Sequence, residues 1–284
     1  MLEQLLIGTL NGFVWGLIAA LIAIGLTLTF GVLRIVNAAH GEFYLMGALI
    51  AWLFSLKFNF WAAIFVAPVV VGLIGVAIER TILRPIEDSP ITTFIVTLGL
   101  MLIIQQLALI FFGGAPQRVK LPIPDLIQIF NYDYPVYRFV VAVIAGIVLT
   151  LVWIFLHKTN LGMFARASQA DRELALMVGV DVNRVYMLTF GIGASLAALA
   201  GVLASPIVTV FFLMGLDALT LSFIIAIVGG LGSVKGTFLA AIIIGEVEGI
   251  VSVFASPTLA RVVSLLILCI VLVIKPQGIW GESE

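Results

Sequence analysis

Four polar or ionisable side chains, Arg34, Asn37, His40 and Glu42, crowd into one short stretch between long apolar runs. A charged side chain at the centre of a bilayer costs about 2.5 to 3.5 kcal/mol, so two facing lipid would cost on the order of 5 to 7 kcal/mol. The stretch must therefore emerge at a membrane surface or bend inside a cavity lined by protein. The first alternative predicts a polar turn between helices, and the second predicts residues of a transport pathway or gate.

Two further carboxylates, Glu246 and Glu248, lie in the apolar stretch IIIGEVEGIVSVF with no arginine within a helical turn. Side chains two residues apart point in different directions on a helix, so we expect at most one of them to face a central pathway. A carboxylate at this depth is a candidate for the route of a transported solute or ion. Alternatively, this helix lies against a partner subunit or ends early.

Catalytic signals are absent from the sequence. The segment GGLGSVKGT superficially resembles a phosphate-binding loop, but it does not meet the G-x-x-x-x-G-K-[ST] spacing. His40 and His157 have no Cys or His partners at ligand spacing, so no metal site is predicted. Neither Ser195 nor Ser205 has the setting that an intramembrane serine protease needs. We therefore expect neither an enzyme nor a resident cofactor.

The elements that position these residues are membrane helices. Of the 284 residues, 63% are hydrophobic and 10% are charged, and the mean hydropathy is +1.27. Apolar stretches of about 18 residues or more recur along the chain, each long enough to cross a bilayer. The formal net charge of −1 gives no reason to expect a nucleic-acid partner. The sequence predicts one all-α domain, residues 1–284, a polytopic bundle with eight or nine membrane segments. These are 5–33, 41–57, 60–79, 92–112, 138–156, 185–210, 217–231, 237–254 and 260–274.

The distribution of Lys and Arg predicts the orientation of the chain in the membrane. With the N-terminus outside and nine segments, nine of these residues fall on the inner side and five on the outer side. This favours an outer N-terminus and a cytoplasmic C-terminus. Residues 113–137, rich in proline and turn formers, would then form the main extracytoplasmic loop.

The longest charged interruption of the apolar pattern is residues 157–187. Ser168 and Asp171 resemble a capping box and Gly179 supplies a stop signal, which predicts a helix of about ten residues between them. One face would carry Ala170, Leu174, Met177 and Val178, and the other would carry Gln169, Arg172 and Glu173. Such an amphipathic helix fits either a groove on a cytosolic partner or the membrane surface.

Small residues at four-residue spacing predict close helix packing. They are Gly8, Gly12, Gly16 and Ala20 in one segment, and Gly193, Ala197 and Gly201 in another. Residues 40–50 and 235–245 also resemble one another, each following an apolar segment and a polar turn. This would be an internal repeat of the kind that transporter folds contain.

Four stretches of the sequence carry a family resemblance: GLTLTFGVLRIVNAAHGEFYLMGA from residue 25, LALMVGVDVNRVYMLTFGIGASLAALAGVL from 174, IVGGLGSVKGTFLAAIIIGEVE from 227 and KPQGIWG from 275. Together they resemble the LivH-type permease subunit of bacterial branched-chain amino acid ABC transporters. The ABC coupling motif E-A-A-x-x-x-G is matched at Glu173, Ala175 and Gly179, with Leu174 replacing the first alanine. The resemblance implies that the region holding Ser168, Asp171, Arg172, Glu173, Ala175 and Gly179 couples to an ATPase.

The resemblance also implies a permease in the bacterial inner membrane that imports branched-chain or other hydrophobic amino acids. Its implied partners are a LivM-type second permease, two cytosolic ATPase subunits that bind ATP and Mg²⁺, and an extracytoplasmic substrate-binding protein. Two alternatives stay open. One is a related importer for urea, short amides or another small organic solute. The other is an ion-coupled secondary transporter with Glu246 and Glu248 as coupling carboxylates.

Overall fold

The computed structural model of the protein describes residues 1–86, 89–129 and 132–281, which are mostly helical. This confirms the predicted all-α fold. Two short strands, β1 (Leu126–Ile129) and β2 (Tyr132–Pro135), form an antiparallel hairpin within the predicted loop 113–137. The helices are α1 (Leu2–Leu33), α2 (His40–Lys57), α3 (Phe60–Ile78), α4 (Pro90–Phe112), α5 (Val136–Lys158), α6 (Asn160–Ala170), α7 (Arg172–Met177), α8 (Val182–Ala204), α9 (Met214–Gly229), α10 (Val234–Phe254) and α11 (Pro257–Ile274).

Each of the nine predicted segments corresponds to one long helix, α1 to α5 or α8 to α11. Seven helical stretches in the described ranges are long and apolar enough to cross a membrane, the third helix being extended to Ile86 by a π-helical and a 3₁₀ turn. The two exceptions are α2, which has polar residues at both ends, and α9, which has only 16 residues. The predicted end of α8 at residue 210 is too late, because the chain leaves the helix at Ser205, directly before Pro206.

Helix α1 is the buried centre of the bundle and packs against α5, α8, α9 and α10. Its contact with α10 runs along a stripe of glycines. A Cβ atom added at Gly12 would lie 2.7 Å from the carbonyl oxygen of Gly245 and 2.8 Å from Cα of Glu246. On the other helix, a Cβ at Gly249 would overlap the backbone of Gly12. The two backbones are therefore in direct contact, which only glycine permits.

The connection between α1 and α2 turns back into the bundle. Helix α1 ends at Arg34, whose φ of 54° is the left-handed conformation typical of a helix stop. The imidazole Nε2 of His40, at the start of α2, then donates to the carbonyl of Ile22 at 2.9 Å. Ile22 precedes Leu33 by eleven residues of α1, about 16 Å of helix at 1.5 Å per residue. Helix α2 therefore begins deep among the other helices rather than at the surface.

A turn separates α9 from α10, between the predicted segments 217–231 and 237–254. Gly230 and Gly232 have φ values of 103° and 87°, and the side chain of Ser233 accepts from the Gly236 N–H at 3.2 Å to begin α10.

At the far end of the bundle, the segment after α8 pairs with the loop 113–137 through backbone hydrogen bonds between Gln117 and Val210.

The predicted ten-residue helix from Ser168 is wrong, because the chain breaks at Asp171. That residue is extended, and its carboxylate accepts from the Leu174 N–H at 3.0 Å, so it ends α6 and begins α7. Ser168 is instead a buried residue in the last turn of α6. Gly179, with φ of 84°, ends the segment as predicted, its N–H donating to Leu176 while Val180 donates to Ala175.

The α1–α10 contact predicts unequal effects of two similar substitutions. Gly249→Ala places a methyl group against the backbone of Gly12, and overpacking of this kind costs about 1 to 3 kcal/mol. The control, Gly99→Ala in α4, meets no atom within 4 Å and removes a flexible residue, so it should be neutral or slightly stabilising. Thermal unfolding of the two detergent-purified variants measures this, and equal melting temperatures would contradict the packing described.

Candidate functional site

The polar stretch 34–42 is divided between two environments. Arg34 is exposed at the end of α1, where its guanidinium donates to the Gln169 carbonyl of α6 at 3.4 Å. Asn37, His40 and Glu42 are fully buried. The stretch is therefore not a surface turn as a whole: it begins at one end of the bundle and continues among the helices. Its role in a transport pathway stays a prediction.

Helix α4 supports this re-entrant connection. The hydroxyl of Thr97 accepts from the Ala38 N–H at 3.2 Å, and the side-chain amide of Gln105 donates to Glu42 Oε1 at 2.8 Å. The other carboxylate oxygen of Glu42 is buried without a hydrogen-bond partner among the described residues. It lies against Gly215 of α9, where an added Cβ would come within 2.7 Å of it. The carboxyl group of Glu42 is thus held by one amide between three helices.

Glu246 and Glu248 face different neighbours, as their spacing predicts. The Glu246 carboxylate lies beside Gly12 of α1, and its Oε2 is buried without a partner among the described residues. Glu248 accepts from the indole N–H of Trp15 at 3.1 Å and from the hydroxyl of Ser264 at 2.9 Å. Glu248 lines a cavity.

That cavity, here called the α10–α11 cavity, has a volume of about 360 Å³, within the range of small-molecule sites. It lies between α1, α5, α10, α11 and the segment after α8. Its polar lining comprises Asn11, Arg138, Glu248, Ser252 and Arg261, and its apolar lining includes Val14, Trp15, Ile207, Val208, Pro257 and Ala260.

The basic residues of the α10–α11 cavity have different partners. Arg261 forms an ion pair with Asp217 of α9 at 2.6 Å. Arg138 donates to the side-chain oxygen of Asn11 and lies 5.6 Å from the ring centre of Tyr134. Burial raises the pKa of Tyr134, and the charge of Arg138 opposes the rise. The Tyr134 phenol is therefore neutral, and the ring attracts the guanidinium through its π face.

A second, smaller cavity of about 110 Å³ adjoins the first and shares Trp15, Val208 and Arg261 with it. It extends to Ile22 of α1 and Tyr44 of α2. Since His40 also contacts Ile22, the smaller cavity leads from the α10–α11 cavity towards the buried start of α2.

The small residues predicted to pack helices lie at three junctions. Gly8, Gly12 and Gly16 contact α10, and Gly193 contacts Gly25 of α1. Gly201 lies against Tyr44 and Ala48 of α2. Ala20 and Ala197 are buried completely.

The opposite end of the bundle carries the α6–α7 segment. A small apolar cluster joins it to the ends of α1 and α8 through Val32, Ala175, Val182 and Tyr186, and the guanidinium of Arg172 lies over the Tyr186 ring at 5.6 Å. Asp171, Arg172 and Glu173 are exposed. An apolar patch, here called the α7 surface, is exposed as well and comprises Leu174, Leu176, Met177 and Val178.

Sequence reasoning missed several partners that the fold brings to the candidate residues. Gln105, Trp15 and Ser264 hydrogen-bond the carboxylates, and Arg138 shares a cavity with Glu248. The sequence signal that could have identified Gln105 and Ser264 is that each is a polar residue inside an apolar segment. Among the described residues, no three His, Cys, Asp or Glu side chains are grouped to hold a metal ion.

Comparison with known proteins gives consistent matches along the chain. The family model described as "Branched-chain amino acid transport system / permease component" matches residues 8–272. The high-affinity branched-chain amino acid transport system permease protein LivH of Salmonella typhimurium is 30% identical, covering 96% of this chain and 94% of that protein. The protein BraD of Pseudomonas aeruginosa, with the same description, is 28% identical, covering 96% and 95%.

More distant matches include a permease for a different solute. The ribose import permease protein RbsC of Escherichia coli is 26% identical, covering 80% of this chain and 72% of that protein. A solved structure, PsaBC from Streptococcus pneumoniae in complex with Fab, superposes with a TM-score of 0.53 at 17% identity, covering 96% and 92%. At that identity the structural match concerns the fold alone.

The hydrogen bond between Gln105 and Glu42 predicts a strong coupling of two substitutions. Gln105→Leu leaves the buried carboxyl without its donor and should destabilise the protein by about 1 to 3 kcal/mol. In the double variant Glu42→Leu/Gln105→Leu both polar groups are gone, so much of that loss should be recovered. A double-mutant cycle on unfolding of the purified chain measures the coupling. Strictly additive effects would show that the bond does not stabilise the fold.

Proposed function

Because this chain belongs to the family of branched-chain amino acid transport system permease components, we propose that it is the membrane subunit of an ATP-binding cassette importer for branched-chain or other hydrophobic amino acids. The observation that carries this proposal is the family match over residues 8–272, which reaches from α1 to α11. LivH and BraD, similar over nearly their whole lengths, are both described as high-affinity branched-chain amino acid permeases.

As a permease subunit, the chain is not itself an enzyme and works with other subunits. We infer a complex with a LivM-type second permease, two cytosolic ATPase subunits and an extracytoplasmic binding protein that delivers the solute. ATP and Mg²⁺ would be bound by the ATPase subunits. The absence of a phosphate-binding loop motif from the sequence supports this division of labour.

The α6–α7 segment is the part of the chain suited to receive movement from an ATPase. Its α7 surface is apolar, exposed and next to Glu173 and Gly179, the residues that match the coupling motif. Gln169 of α6 connects it to the bundle, donating to the Gly232 carbonyl at 3.1 Å while its own carbonyl accepts from Arg34. A force applied to α7 would therefore reach α1 and the α9–α10 turn, and could tilt them as a rigid body.

The protein is a multi-pass membrane protein, and we propose the bacterial inner membrane as its location. The excess of Lys and Arg on one side supports an outer N-terminus and a cytoplasmic C-terminus. In this orientation the α6–α7 segment faces the cytosol, and the hairpin of β1 and β2 faces the outside, where a binding protein would dock.

Uptake by reconstituted vesicles tests the proposed function. Vesicles containing the assembled complex should accumulate leucine, isoleucine or valine only with ATP inside and the cognate binding protein outside. The match to a ribose permease makes other solutes, including urea and short amides, the first alternatives if the ATP-dependent vesicles reject amino acids. Uptake driven by a proton or sodium gradient without ATP would instead indicate a secondary transporter and overturn the proposal.

Substitution on the α7 surface tests the coupling role. Met177 is 78% exposed, so Met177→Asp should leave folding intact while adding a charge to the docking patch. Disrupting a residue at the centre of an interface costs about 2 kcal/mol or more, so we expect roughly thirtyfold or greater weakening of ATPase association and loss of stimulated hydrolysis. The matched control Met177→Leu keeps an apolar side chain and should retain stimulation. Normal stimulation in the Asp variant would remove the α7 surface from the coupling interface.

A further inference from the structure

Within the described ranges, the donors that hold the Glu248 carboxylate are neutral. Each oxygen accepts one hydrogen bond, from Trp15 or from Ser264. No Lys or Arg nitrogen of the described residues lies within the 4 Å of an ion pair. A carboxylate offers about four acceptor positions, so Glu248 can still accept from a cation in the α10–α11 cavity.

Arg138 is the complementary charge in the same cavity. It contacts the Asn11 amide oxygen and the Tyr134 ring, which are neutral, and it forms no ion pair among the described residues. A guanidinium has five donors, which leaves capacity for a carboxylate. Arg261 differs, because Asp217 already neutralises it at 2.6 Å.

The remaining lining suits an aliphatic side chain. Val14, Trp15, Ile207, Val208 and Ala260 contribute apolar surface next to the two charges. The volume of about 360 Å³ is at the small end of the range for ligand sites. One cavity thus combines an apolar wall with an anion and a cation that have no ion-pair partner in the part of the chain that the structure describes.

We propose that the α10–α11 cavity binds the transported amino acid transiently, with Glu248 accepting from its ammonium group and Arg138 donating to its carboxylate. This inference rests on the proposed function and assigns recognition of the backbone charges to this chain, in addition to any selection by a binding protein. The apolar wall receives the branched side chain. Charge-assisted hydrogen bonds at both ends would offset the cost of holding two unpaired charges near the membrane interior.

Photo-crosslinking in the assembled transporter tests this site. The complex is reconstituted in nanodiscs, without binding protein, and irradiated with photo-leucine, the diazirine analogue of leucine, in the presence and absence of non-hydrolysable ATP. Mass spectrometry should find the label on peptides that line the cavity, around Trp15, Val208 or Ser252. Excess leucine should compete, whereas leucinol, which lacks the carboxylate, and 4-methylpentanoate, which lacks the amine, should compete about tenfold less or worse.

Charge-removing variants provide the second arm. Glu248→Gln and Arg138→Gln should each lower labelling by about tenfold, and Arg138→Lys should restore part of it. The control Asp133→Asn removes an exposed carboxylate from the neighbouring hairpin and should label like the parent. If a variant fails to assemble, the competition series on the unchanged complex still decides the question.

The outcomes separate this site from the proposed function. If the complex imports leucine but carries the label only outside the cavity, the site alone is overturned. The same holds if leucinol and 4-methylpentanoate compete with the labelling as well as leucine does. A zwitterionic lipid headgroup has the same two charges, so native mass spectrometry that finds phosphatidylethanolamine in the cavity, with no photo-leucine label there, also overturns it. A complex that imports no amino acid removes both proposals.

Discussion

The direct backbone contact of α1 with its neighbours is the constraint on which the rest of the bundle depends. Lipid tails are as apolar as the side chains, so burial gives little reason for membrane helices to associate, and close packing must supply it. Gly12 and Gly249 allow α1 and α10 to touch, and Gly25 and Gly193 do the same for α1 and α8. With α1 fixed at the centre, α2 can begin beside Ile22. The α10–α11 cavity and the smaller cavity beside it are then lined by helices in fixed positions.

The second requirement is that polar groups inside the bundle find partners across helices. Gln105 of α4 donates a hydrogen bond to Glu42 of α2. Trp15 of α1 and Ser264 of α11 each donate one to Glu248 of α10. The bonds from Gln105 and Trp15 join helices distant in sequence, so these polar groups fix which helices are neighbours as well as adding stability. Arg138 and Glu248 are the charges of the α10–α11 cavity whose partners among the described residues are neutral, and for this reason they are the best candidates for contact with a solute.

The sequence predicted the helices well and the site less completely. Each of the nine long helices overlaps its predicted segment, because long apolar runs are a strong signal in a membrane protein. The ten-residue helix from Ser168 failed because Asp171 was an equally good cap three residues later, and local pattern could not rank the two. Gln105 is 63 residues from Glu42 in the chain, and Trp15 is 233 residues from Glu248. Such contacts depend on how the helices pack, which the periodicity of the sequence does not encode.

The buried start of α2 has a consequence for biogenesis. Helix α2 is too polar at its ends to partition into lipid by itself, and the partner of Glu42, Gln105, lies on α4 and emerges from the ribosome later. Glu42 therefore lacks its native donor during the interval in which α3 and α4 are being synthesised. The native position of α2 therefore depends on α4, a helix that is synthesised after it.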